Sequence, residues 1–215
     1  MVPVGMNELA LRRRFTGLWK RLGASGDGGG ALEELLRSWR EPHRSYHGLE
    51  HLRDCLARLD EAPTTGKERD VAEAALWYHD VVYRPGAPDN EARSAESARA
   101  ALLEGGVPKD IADEVARLVR LTDHVSPPED PVAALVCDVD LSILGRPADE
   151  FAAYEQRIRE EYRHVPESLY RSGRSRVLAM LLARDPLFVT PHFRSRLEAP
   201  ARRNLARSLQ KLGQG

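Results

Sequence analysis

Apolar positions recur along this chain at spacings of three and four, and no window shows the β-branched alternation of a strand. Over 7–22, Leu9, Phe15, Leu18, Trp19 and Leu22 form a helical stripe among charges, with Leu11 falling off it. Gly26-Asp27-Gly28-Gly29-Gly30 reads as a flexible linker, because it lacks the Lys-Ser/Thr ending of a phosphate-cradling loop. Residues 31–39 predict a short helix with Leu32, Leu35, Leu36 and Trp39 inward, stopped before Pro42. A helix over 47–59 buries Leu49, Leu52, Leu56 and Leu59. The next, over 67–83, turns Val71, Ala72, Ala75, Leu76 and His79 inward and ends at Pro85-Gly86-Ala87-Pro88. Asp89 or Asn90 caps a helix to Leu103, which Gly105-Gly106 closes. Further amphipathic helices follow over 108–121, 131–144, 147–163, 167–184 and 192–212. The expectation is an all-α protein of nine or ten helices. It forms one domain over 7–215, with a C-terminal helical extension, behind a loose N-terminus at 1–6, without internal repeats.

Polar residues break this pattern in places that matter. His79-Asp80 falls inside Leu76-Trp77-Tyr78-His79-Asp80-Val81-Val82-Tyr83, read as part of one apolar helix. Burying a carboxylate is costly unless it is paired or coordinates a metal. His47 and His51 are four residues apart and share a face of the preceding helix. Later, Val136, Cys137, Asp140, Ile143 and Leu144 share a face, so Asp140 is a second carboxylate in an apolar stripe, while Asp138 points away. Taken singly, His51 reads as a core histidine and Asp140 as the partner of a buried arginine. Together they ask for a cation, and a metal held by helices needs ligands from several of them.

Composition narrows the function classes. The 215-residue chain has a formal net charge of -1, which exerts no pull toward a nucleic-acid polymer or a membrane surface. With 30% charged and 6% aromatic residues it reads as a surface-charged globule. Cys55 and Cys137 read as buried, reduced thiols. No apolar run approaches the ~20 residues that span a bilayer. No uncharged stretch precedes Arg12-Arg13-Arg14, so the chain predicts no signal peptide and a cytoplasmic location. From Arg171 onward, ten Arg/Lys face only Asp185 and Glu198. That run is either a solvated face or a lining that attracts an anionic substrate. His43, His164 and His192 read as surface residues, and Trp19, Trp39 and Trp77 as core.

The order His51 … His79-Asp80 … Asp140 resembles the HD-domain superfamily of metal-dependent phosphohydrolases, named for its His-Asp doublet. Tyr46-His47-Gly48-Leu49-Glu50-His51 resembles the Tyr-His stretch of its cyclic-nucleotide phosphodiesterases, with the four-residue spacing of their His-Asn-x-x-His. Asp140-Leu141-Ser142 resembles their Asp-Leu-Ser. A bacterial group known only as HD-superfamily phosphohydrolases resembles the chain more extensively. The similarity runs through His79-Asp80-Val81-Val82-Tyr83, Asp89-Asn90-Glu91-Ala92-Arg93-Ser94-Ala95, and Tyr154 to Leu205 by way of Tyr162, Tyr170 and Gly173-Arg174.

The resemblance implies an all-α HD-type bundle with His51, His79, Asp80 and Asp140 as metal ligands. Two imidazoles and two carboxylates suit Mn, Fe, Co, Ni or Zn, in one tight site with room for a second, weaker one. A metal-activated water would attack a phosphate mono- or diester of a nucleotide or similar small metabolite. His47, one turn before His51, matches the histidine that protonates the leaving oxygen. His124 is either a further ligand or a residue interacting with a helix C-terminus, and Glu91 either orders the attacking water or occupies an acidic first turn. Arg157, Arg174 and Tyr170 lie in the shared stretch and are the phosphate-binding candidates, with Tyr46 and Arg44 behind them. A non-catalytic nucleotide or metal sensor is the alternative. A di-iron oxygenase ranks lower, because His124 is the lone histidine between the doublet and Asp140. A homo-oligomer is compatible with this reading.

Overall fold

The computed structural model describes residues 6–214. The expected loose N-terminus, Met6 apart, lies outside them. Among the described residues there is no strand. Ten α-helices follow one another: α1 Glu8–Arg21, α2 Gly29–Trp39, α3 Leu49–Glu61, α4 Gly66–Tyr78, α5 Asn90–Glu104, α6 Lys109–Arg120, α7 Pro131–Asp140, α8 Ala148–Glu161, α9 Glu167–Leu182 and α10 Pro191–Gly213. The residues group into two compact units, Met1–Cys137 and Asp138–Gly215. The division falls within α7, so no proline or glycine marks it in the sequence.

In the first unit, Asn7 caps α1 by accepting from the Ala10 N–H at 2.9 Å. The buried stripe is Leu11, Phe15, Leu18, Trp19 and Leu22, whereas Leu9 is 57% exposed. The expected phase was therefore wrong at its start. Leu11 lies one turn from Phe15, but Leu9 lies about 120° round the helix from it. Trp19 is seated between glycines: a Cβ on Gly28 or Gly105 would come within 2.8 Å or 2.1 Å of its indole. Gly28, at φ 70°, also needs the left-handed region, so the Gly26–Gly30 stretch serves packing as well as connection.

Every residue from Val71 to Tyr78 is buried, so α4 is enclosed on all sides. Its one buried charge there, Glu73, accepts from Arg14 at 2.7 Å. The helix stops at Tyr78, with His79 as its C-cap, rather than running on to Tyr83. Side chains from elsewhere claim the backbone that would have continued it. Arg44 donates to the carbonyls of Asp80 and Val81. Ser94 bonds both the N–H and the carbonyl of Val82, and Asn90 does the same for Arg84. Asn90 is thus spent on a loop, and Asp89 occupies the N-cap of α5 without a side-chain capping bond. On α6, Ala112, Val115, Ala116, Leu118 and Val119 are buried, Ile111 is only half-buried, and a 3-10 turn, Leu121–Asp123, follows.

The second unit holds a 3-10 turn, Leu141–Gly145, and α8 to α10. A Cβ on Gly145 would come within 2.5 Å of Leu197 Cβ, so glycine lets the turn approach α10. Asp138 does not point away from the core as its position in the stripe suggested; it is buried. The reason is that α7 is buried on all sides from Ala133 to Val139 and has no outward face there. Asp138 accepts from the Val189 and Thr190 N–H groups at 3.0 and 2.7 Å and from the Thr190 hydroxyl at 2.6 Å, fixing the start of α10. Glu198 accepts from the Leu187 and Phe188 N–H groups, and Asn204 donates to the carbonyls of Leu144 and Arg146.

Candidate metal centre

Three segments of the first unit bring the candidate groups together. Gly48, in extended conformation, caps α3, so His47 lies ahead of the helix rather than on its face. The i,i+4 argument for His47 and His51 therefore does not apply, yet the tight turn still leaves their rings 5.9 Å apart. His51 occupies the first turn of α3 and is buried. His79 closes α4, and Asp80 follows it out of the helix.

His51 Nε2 and His79 Nε2 are 3.0 Å apart. Asp80 Oδ2 lies 3.2 Å from His79 Nε2 and 3.8 Å from His51 Nε2. His79 Nδ1 faces the Leu76 carbonyl at 2.9 Å. A carbonyl accepts, so Nδ1 carries the proton and Nε2 presents its lone pair to the cluster. This is the outer hydrogen bond that orients a metal-ligating imidazole. An ion bonded at about 2.1 Å to each donor reaches any pair separated by less than about 4.2 Å. All three separations satisfy that limit, so the residues fit a divalent ion. Cys55 Sγ also lies 3.7 Å from His51, and His51, Cys55 and His79 offer donor atoms within 4.8 Å of one another.

The electrostatics agree with this grouping. Burial alone would raise the Asp80 carboxyl, but the imidazoles of His79, His47 and His51 pull it well below the carboxylate range. Glu91, in the first turn of α5, is pushed up by burial and then by the negative charges of Asp80 and Asp123, with His124 acting the other way. Glu91 and His124 therefore both lie within electrostatic reach of this corner. His124 itself follows the 3-10 turn in the left-handed conformation, φ 54°, and is half-buried.

Tyr46 is half-buried, its ring 4.8 Å from that of His51 and 5.0 Å from that of His47. Of the other candidates, Asp140 ends α7 half-buried. Within the second unit its charge adds to the burial that raises the Tyr154 phenol. Arg174 is committed to Tyr154 at 2.8 Å and to Glu155. Tyr170 is buried beneath the guanidinium of Arg159, 4.5 Å from the ring centroid, and burial pushes its phenol up to about 12. Arg157 is exposed on α8.

Sequence reasoning undervalued Arg44, Tyr83 and Trp39. Arg44 is buried between Trp39 and Tyr83 and donates to the carbonyls of His47, Asp80 and Val81, with Glu41 as counterion at 2.8 Å. One guanidinium thus joins the turn carrying His47 to the segment carrying Asp80. Tyr83 stacks on His47 at 4.2 Å. Trp39 lies 5.4 Å from the His79 ring and donates to the Trp77 carbonyl, at the end of α4. His43, expected at the surface, is half-buried and bonds the Tyr83 carbonyl, and His192 is half-buried too. The signal available was position: Arg44 and Tyr83 flank the histidine pair and the doublet.

No family model, curated protein or solved structure matches this chain. What stands on the residues themselves is an all-helical protein with buried imidazole and thiol groups, and a carboxylate beside them, able to hold a metal ion.

Proposed function

We propose that the chain is a metal-dependent phosphohydrolase acting on a phosphate mono- or diester of a nucleotide or another small phosphorylated metabolite in the cytoplasm. The observation that carries this reading is the 3.0 Å approach of two buried imidazole nitrogens with the Asp80 carboxylate beside them. A divalent cation would give both imidazole nitrogens and the carboxylate one common partner.

In this reading His51, His79 and Asp80 hold a transition-metal ion, with His124 as an additional ligand candidate. The ion would supply an acidified water and neutralise charge on the phosphoryl oxygens. His47 is free of that duty and donates a proton to the leaving oxygen, its ring oriented by Tyr46 and Tyr83. Glu91 holds a proton more tightly than an exposed glutamate, as suits a group exchanging one with the attacking water. Tyr46 and Arg44 also line a cavity of about 340 Å³, and the Tyr46 ring lies 4.8 Å from that of His51. Within the second unit, Arg174 acts by holding Tyr154.

The test is elemental analysis of the purified protein, followed by a metal-varied screen against nucleotides, cyclic dinucleotides and sugar phosphates. One metal per chain and turnover lost in His79→Ala are expected. Full hydrolysis by His79→Ala would sink the proposal. A bound nucleotide left intact for hours would make the protein a sensor instead.

A further inference from the structure

We infer that Cys55 is a thiolate ligand of the ion held by His51 and His79, so that the centre selects zinc, ferrous iron or cobalt over magnesium and manganese. This rests on the proposed metal site and adds to it a ligand of different chemistry. Cys55 follows His51 by one turn of α3 and is 2% exposed. Its Sγ lies 3.7 Å from both His51 Nε2 and His51 Nδ1, and it shares the 4.8 Å cluster with His79. A metal bonded to nitrogen at about 2.0 Å and to sulfur at about 2.3 Å spans up to about 4.3 Å between the two donors, so the separation suits one ion; because the sulfur sits equally far from both ring nitrogens, ligation turns the Cys55 side chain toward the Nε2 side of the ring. The chain's other thiol behaves differently: Cys137 turns its Sγ to the Leu121 carbonyl at 3.6 Å, the ordinary weak bond of a buried thiol. Cys55 instead faces an imidazole whose Nε2 looks toward His79.

Thiolate ligation has consequences. As the metal–sulfur bond forms, the Cys55 S–H bond breaks heterolytically and its proton leaves to solvent. Metal binding thus releases a proton that a serine at this position would not release at neutral pH. A soft sulfur donor also disfavours hard oxygen-seeking cations, which narrows the metals expected from imidazole and carboxylate alone.

The experiment is a cobalt(II) titration of the full chain, followed by absorption spectroscopy, for the natural protein and the variants Cys55→Ser, Cys137→Ser and His79→Ala. Visible cobalt bands report binding at the site, and a near-ultraviolet charge-transfer band reports sulfur on the metal. Both are expected in the natural protein. Cys137→Ser should keep both, which assigns the sulfur to Cys55 even if Cys55→Ser does not fold, since the chain has two cysteines. Cys55→Ser should lose the near-ultraviolet band and keep the visible ones. Visible bands abolished by His79→Ala but never accompanied by the sulfur band would overturn the role of Cys55 and leave the metal site standing. No cobalt bands in folded natural protein would overturn the metal site itself, and this inference with it.

Discussion

Both units bury charged groups, but they satisfy them in opposite ways. In the second, donors meet acceptors: Asp138 takes two N–H groups and a hydroxyl, Glu198 takes two N–H groups, and Arg174 meets Tyr154 and Glu155. Such a network fixes a fold. In the first unit, the His79 Nε2 lone pair faces His51 Nε2 and a carboxylate oxygen. Imidazole and carboxylate groups crowd around a common point, where they could hold an ion. The lesson is that buried charge becomes informative about function only after its partners are counted.

That contrast can be broken most severely at the cluster. Asp80→Asn should abolish stoichiometric metal binding and hydrolysis, read by elemental analysis and turnover, because an amide is a far weaker metal ligand than a carboxylate. Retention of one tight ion by the variant would place the site elsewhere. In the unaltered protein, saturating metal at a hundred times its dissociation constant should add about 2.7 kcal/mol to unfolding stability. Chelation should remove that increment, as read in denaturant melts.

Arg174→Met attacks the other side of the comparison. It strands Glu155 without its ion-pair partner and should cost about 3–5 kcal/mol of stability while leaving metal content unchanged. A drop in metal affinity there would show that Arg174 belongs to the site rather than to the support of Tyr154.

Arg44→Ala lies between the two cases, since Arg44 bonds backbone carbonyls and Glu41, packs on Trp39 and Tyr83, and so positions the site. It should weaken metal affinity about 10–100-fold, as losses around a ligand shell do. Arg44→Lys should not restore it, because an ammonium cannot span the His47, Asp80 and Val81 carbonyls as a planar guanidinium does.

The smallest effect concerns pH. Burial pushes Glu198 up, but the Phe188 and Leu187 N–H groups and Arg202 outweigh it and hold the carboxyl below its ordinary 4.5. A depressed folded value means the stabilisation is complete above pH about 4.5 and is lost as pH falls through the lower, folded value. Glu198→Gln should therefore flatten the acid side of the stability profile by about 1 kcal/mol, with no change near pH 7 in its slope. An unchanged acid limb would mean that the N–H groups, not the charge, carry the interaction.

Much of the fold was legible because helix burial leaves a local trace. The stripe on α2 and the leucines of α3 past Leu49 appear where the spacing puts them. The trace fails where local patterns are ambiguous or absent. Leu9 and Leu11 differ by two residues and compete for one stripe; the packing around Phe15 and Trp19 chose Leu11. On α7, enclosed on all sides, periodicity cannot separate Asp138 from Asp140. Cys55 read as core because a buried thiol and a ligand thiol have the same sequence environment.

The His-Asp doublet was visible in the sequence as polar residues set among Leu76, Trp77, Val81 and Val82, because a carboxylate cannot be buried there without compensation. The sequence also determined that helices, not strands, would surround it. Where α4 ends was decided only in three dimensions. The carbonyls of Asp80 and Val81 leave the helix because Arg44, 36 and 37 residues earlier, offers them donors, and no local periodicity encodes a partner at that distance. The same turn swings His79 Nε2 toward His51, so the meeting of two imidazoles follows from tertiary competition for backbone hydrogen bonds.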